Sequence, residues 1–175
     1  PNSTFLMNNF TVVASANSRL HADVVLIRLR RAQIDCRNIS VLFPTHAMPN
    51  AVGCWLPIAR DAKLKVGQEN IGCAGQLGKE LASTIPAHGD GREVASLLTQ
   101  AGVDATGAHV LVERLGQGHI LLCVHASSEV EASIAWHVFR HACVDTIILD
   151  AMPTRASARH YREIQETTPW VPVAA

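Results

Sequence analysis

Two stretches of the chain carry the same order of apolar and polar positions. The runs FTVVASA and HILLCVHA are short and apolar or β-branched, and each is followed by a serine, Ser18 or Ser128, placed to cap a helix. After Ser18, Ala22, Val25, Leu26 and Leu29 recur at i, i+3, i+4 and i+7. After Ser128, Val130, Ile134, Val138 and Ala142 recur at i+4 steps, so each helix has a face to bury. NISVLFP and DTIILDA close the two stretches as strands. The spacing therefore predicts strand, helix, strand twice, once near each end.

The two stretches also align residue for residue. Phe10 to Asp35 falls on Ile120 to Asp145 without a gap, placing Ser18, Ala22, Arg30, Ala32 and Asp35 on the identical Ser128, Ala132, Arg140, Ala142 and Asp145. A two-residue excess within Cys36 to Asn38 then sets Ile39 and Val41 opposite Ile147 and Leu149. Right-handed crossovers make the strands of each copy parallel, and two such units in one sheet predict an α+β, ferredoxin-like core built from duplicated β-α-β halves at 10–43 and 119–150. The whole of 1–175 reads as a single α/β domain.

The 44–118 segment is too long for a hairpin and needs structure of its own. Asp90 with Glu93 is a capping box opening a helix through Val94, Leu97, Leu98 and Ala101, stopped at Gly102. Asp104 caps a second helix through Val110, Leu111 and Leu115 that ends at Gly116. A further helix is expected around Cys73 to Ser83, making the insertion helical. Beyond the last strand, 154–166 reads as a polar amphipathic helix.

Hydrophobic residues at 48% and charged residues at 17% describe a folding chain and exclude disorder. Fifteen basic and fifteen acidic residues cancel, so no global field draws the chain toward nucleic acid. Residues 1–47 nevertheless hold Arg19, Arg28, Arg30, Arg31 and Arg37 against Asp23 and Asp35, mostly along one helix, where the plain reading is a solvated face. Five cysteines, none in a C-x-x-C spacing, argue against a disulfide framework and for reduced thiols in a cytoplasm. No leader is evident, and no apolar run approaches the ~18 residues that span a bilayer.

Strand alternation puts His119, Cys123 and His125 on one sheet face, and His137 and His141 stand at i and i+4 on the second repeat helix. Both sets have metal-ligating chemistry, although Ile27 and Arg31 occupy the matching positions of the first copy and no fourth ligand is in view. The glycines at Gly72, Gly75 and Gly78 do not have the dinucleotide-binding spacing and suit close helix packing. No P-loop, nucleophile elbow or H-E-x-x-H occurs, and no cofactor is expected. With Phe10, Val12 and Ala14 and their counterparts Ile120, Leu122 and Val124 facing the repeat helices, Val13, Leu42, Leu121, Cys123 and Ile148 lie on the other face. That surface is too apolar to stay wet, and its cover is either the 44–118 segment or a second subunit, with a homodimer slightly preferred.

The segment LLTQAGVDATGAHVLVERLGQGHILLCVHA resembles the bacterial general stress protein family, the heat- or low-temperature-induced type. Gly102, Val103 and Ala108 match its helix start, Glu113, Arg114 and Gly118 its turn, and Ile120 to Ala126 its strand. The opening NNFTVVASA and the phrase ISVL are similar too. The middle departs: the family's apolar glycine-rich stretch is replaced by Gly53, Gly67, Gly72, Gly75 and Gly78 among polar residues. The resemblance implies a non-catalytic stress-type or regulatory protein that acts by self-association or by binding a ligand or partner. It carries over no catalytic residue. The rival expectation is a metal-binding protein or a small-molecule enzyme using the open sheet face.

Overall fold

The computed structural model describes residues 10–56, 64–79, 89–142 and 146–149. Six strands form one sheet: β1 (Phe10–Ala16), β2 (Ile39–Pro44), β3 (Leu64–Val66), β4 (Glu69–Gly75), β5 (Ile120–Ala126) and β6 (Thr146–Leu149). Their order is β3-β4-β2-β5-β1-β6, and every neighbouring pair is antiparallel. Four helices lie wholly within the described residues: α1 (Arg19–Arg31), α2 (Gly91–Gln100), α3 (Ala105–Gly116) and α4 (Glu129–His141). The architecture is α+β. The expected helix at 154–166 lies outside the described residues.

Each helix starts where its sequence supplies a cap. Ser18 and Ser128 accept the backbone N–H of His21 and Glu131 at 3.1 and 3.2 Å, Asp104 accepts that of Gly107, and Asp90 forms a reciprocal capping box with Glu93. The helix ends share a mechanism as well. In α2 and α3 a left-handed glycine, Gly102 or Gly118, turns the chain so that Val103 N–H reaches Leu98 O and His119 N–H reaches Arg114 O. In α1 the same turn, with Ile34 N–H on Leu29 O at 3.1 Å, is made by Gln33 at φ 63°. Because the Gln33 side chain is exposed, nothing in the packing offsets the strain of a Cβ there. Gln33→Gly is therefore expected to raise stability by about 0.5–1 kcal/mol in urea denaturation. A loss of stability would mean that the glutamine side chain holds the turn.

The sheet has two covered faces. Val12, Ala14, Ile39, Val41, Ile120, Leu122 and Val124 form one core with Leu26 and Leu29 of α1 and Val138 and Phe139 of α4. On the other side Val13, Leu42, Leu121 and Cys123 form a second core with Val94 and Leu98 of α2 and Leu111 and Leu115 of α3. This corrects the expected dimer interface: Val13, Leu42 and Leu121 are fully buried, and the cover is the chain's own 44–118 segment. Of Ile148 only the backbone position is described, opposite Val13.

The insertion also adds strands where helix was expected. Residues 69–75 are β4, which hydrogen-bonds the outer edge of β2, so the helix expected from Cys73 begins only after Gly75. The glycines serve close strand approach instead of helix packing. A Cβ on Gly75, at φ 82°, would stand 2.2 Å from the Ile39 carbonyl oxygen, and one on Gly72 would stand 2.5 Å from the Phe43 ring.

Candidate functional site

Pleating sends Ser40 of β2 and Cys123 and His125 of β5 into the core beneath α2 and α3. Ser40 stands opposite Cys123 in the ladder, and His125 opposite Thr11 of β1. The Ser40 hydroxyl lies 2.9 Å from His125 Nε2 and accepts the Leu77 backbone N–H at 3.0 Å. The Ser40 hydroxyl and His125 Nε2 thus share one hydrogen bond, in which the tautomer of the ring sets which of the two donates. Burial pushes the His125 pKa down to about 4, so the imidazole is neutral at pH 7. Thr11 satisfies its own hydroxyl by donating to the Ala101 carbonyl at the end of α2.

A serine hydrogen-bonded to a neutral histidine is the pairing that can activate a nucleophile, but this one is sealed. Ser40 and His125 have almost no exposed surface, so no substrate reaches them in the folded state. The thiols beside them are equally inert: burial pushes Cys73 up to about 12, and Cys123 is raised further by burial and by Cys73 itself. Cys36 and Cys54 are exposed, and all four described cysteines are free.

The five histidine and cysteine positions singled out in the sequence do not converge. Cys123 and His125 share the α2/α3 side of the sheet, while His119 is half-buried in the turn before β5, its N–H on Arg114 O. His137 and His141 ride on α4, across the sheet, with ring centroids 6.5 Å apart and Trp136 edge-on to His137 at 4.9 Å. Among the described residues no group of three His, Cys, Asp or Glu side chains is placed to hold a metal.

Two features were not singled out from the sequence. A cleft of about 530 Å³ opens between the end of α1 and the start of α4, lined by Ile34, Asp35, Arg37, Asn38, Ser127 and Glu131 among others. Its polar groups are engaged with one another: Glu131 accepts from Asn38 Nδ2 at 2.9 Å and from the Ser127 hydroxyl at 2.6 Å. Arg37 grips Asp35 at 2.6 Å and holds its carboxyl down to about 2. The S-x-x-E spacing of Ser128 and Glu131 was the available signal, but Asn38 is distant in sequence. The second feature is the outer face of α1, where Leu20, Val24 and Ile27 project into solvent, 75%, 37% and 39% exposed.

Comparison with protein-family models, with curated proteins and with solved structures finds no match.

Proposed function

We propose that this chain is a non-catalytic, stress-type protein of bacterial origin that acts in the cytoplasm by binding a partner. One observation carries the reading: among the described residues Ser40, His125, Cys73 and Cys123 are spent inside the core, whereas the outer face of α1 brings three exposed apolar side chains together. Self-association, the other mode expected from the sequence, would have to use a surface other than Val13, Leu42 and Leu121. The rival enzyme or metal-binding reading is placed on the open sheet face, and that face is packed under α2 and α3, which favours the binding reading.

We also infer that the core is a ferredoxin-like duplication, and the register of the ladders supports it. β1 pairs β5 about Val13↔Cys123, two residues that match each other in the aligned copies. Exchanging the copies turns the pair Val12↔Leu149 into Leu122↔Val41, and Ala14↔Ile147 into Val124↔Ile39. All four pairs occur, as a twofold relation between the halves requires. The strand order β6-β1-β5-β2 is that of the ferredoxin-like arrangement, with β4 and β3 appended at one edge.

Chemical labelling tests the absence of a nucleophile. Native protein treated with a fluorophosphonate should leave Ser40 unmodified, and iodoacetamide should alkylate Cys36 and Cys54 while sparing Cys73 and Cys123 until denaturant is added. Stoichiometric fluorophosphonate labelling of Ser40 in the native state would overturn the reading and restore the enzyme.

A further inference from the structure

The outer face of α1 has a composition that solvent alone does not explain. The helix buries Ala22, Val25, Leu26 and Leu29, and opposite them Leu20, Val24 and Ile27 follow at i, i+4 and i+7, with Arg31 next on the same line. The apolar residues therefore occupy the apex of the solvent side, where a surface helix ordinarily carries its most polar positions. Arginines flank this line: Arg19 and Arg30 on one side, both exposed, and Arg28 on the other, donating to the His141 carbonyl at 3.2 Å. The one acidic residue of the helix, Asp23, is buried and accepts the Ala51 backbone N–H at 3.0 Å. The exposed face of α1 thus carries cationic and apolar groups with no carboxylate among them.

The other copy supplies an internal control. At the positions matching Leu20, Val24 and Ile27, α4 has Val130, Ile134 and His137, and the one matching Arg31 is His141. Val130 is exposed at 41%, but Ile134 is 7% exposed and His137 half-buried, and the first turn of α4 carries Glu129 and Glu131 where α1 has Arg19 and His21. The fold therefore does not require an exposed apolar line flanked by arginines at this place. The feature belongs to α1.

We propose that α1 docks this protein on an anionic lipid surface, with Leu20, Val24 and Ile27 entering the acyl boundary and Arg19, Arg30 and Arg31 lying on lipid phosphates. The proposal rests on the reading of the chain as a binding protein and names its partner. Charge complementarity selects an anionic partner. Shape selects a bilayer, because a single convex helix offers no hollow to receive a partner's side chains, whereas apolar tips on a convex ridge can enter lipid while guanidinium groups remain at the phosphates. A second copy on the same face would set arginine against arginine. A nucleic acid would meet the arginines but leave the apex leucine and isoleucine against phosphate.

The test is co-sedimentation of the full chain with sucrose-loaded vesicles, comparing phosphatidylcholine alone with a mixture rich in phosphatidylglycerol. Binding is expected to the anionic vesicles only and to weaken as salt is raised. Arg30→Glu/Arg31→Glu should lower the partition coefficient roughly tenfold or more, and Leu20→Ser should lower it severalfold. Arg92→Glu, the charge change of one of those two substitutions placed on α2 across the sheet, should leave it unchanged. These positions are at the surface, so unchanged thermal melts will show that the variants fold. Equal binding to both vesicle types, no binding to anionic vesicles at low salt, or binding indifferent to the α1 variants would each overturn the proposal. So would retention by an acidic peptide or by DNA without retention by vesicles. Each of these results leaves the fluorophosphonate outcome untouched, so loss of the lipid proposal and loss of the non-catalytic reading are separate events.

Discussion

Leu121→Glu is expected to abolish folding or to cost at least about 4 kcal/mol, with no folded monomer released from a larger assembly. Leu121 is fully buried, stands between Leu42 of β2 and Ser15 of β1, and packs in the core shared with α2 and α3. A glutamate there loses the leucine's burial and must either stay neutral at a desolvation cost or expel the helices to reach water. Leu121→Ala removes the same contacts without a charge and is expected to cost about 2–5 kcal/mol, leaving a folded protein on which the effect can be measured by urea denaturation. Light scattering separates this account from the subunit interface that the sequence invites. An intramolecular cover predicts a loss of stability at constant mass; a Leu121→Glu protein that stays folded at half the wild-type mass would return the face to a dimer.

That error shows how far local pattern reaches. The starts of α1 to α4 were readable because each is fixed by a cap and a periodicity within a few residues, and β1, β2 and β5 because their apolar runs are bounded by turn signals. The two faces of β5 were also readable, since alternation alone separates Leu122 and Val124 from Leu121 and Cys123. What covers a face is a different kind of fact. Val94, Leu98, Leu111 and Leu115 announce that α2 and α3 must bury something, but only topology decides that they bury it on this sheet. β3 and β4 were missed because one is a three-residue strand and the other is interrupted by Gly72 and ends at Gly75, which weakens every propensity signal.

The candidate site is divided between two faces for a related reason. His119, Cys123 and His125 alternate as expected of one strand, but β5 begins at Ile120, so His119 belongs to the turn. Once the face was closed, the partner of His125 became Ser40, 85 residues away, and the chemistry changed from ligation to core hydrogen bonding. The outer face of α1 was legible in principle. The same periodicity that assigns Ala22, Val25, Leu26 and Leu29 to the core leaves Leu20, Val24 and Ile27 outside it, and only the solvated-face reading of its arginines hid the combination.

The buried histidine carries the second large effect, an acid-sensitive stability. The His125 pKa is lowered from the ordinary 6.5 to about 4 in the folded state by burial, so the unfolded chain binds the proton more readily. The contribution to stability is then fully present above pH 6.5 and is lost as pH falls from 6.5 toward 4, amounting at the acid end to on the order of 3 kcal/mol. The neighbouring thiols of Cys73 and Cys123, raised by burial, do not titrate in this window, and the lowered Asp35 acts below it, between 3.8 and about 2. Urea denaturation at pH 7.5, 6, 5 and 4.5 should trace a steady decline in wild-type stability, and the decline should flatten in His125→Gln, which keeps a hydrogen-bonding group near Ser40 without an imidazole. Ser40→Ala should cost about 2–3 kcal/mol even at pH 7.5, because it strands both the Leu77 N–H and the His125 ring nitrogen in the core. Wild-type stability that stays constant from pH 7.5 to 4.5, or a decline that survives intact in His125→Gln, would remove His125 as its source. The alternative would then be a group on another element, to be found by following the histidine resonances through the same titration.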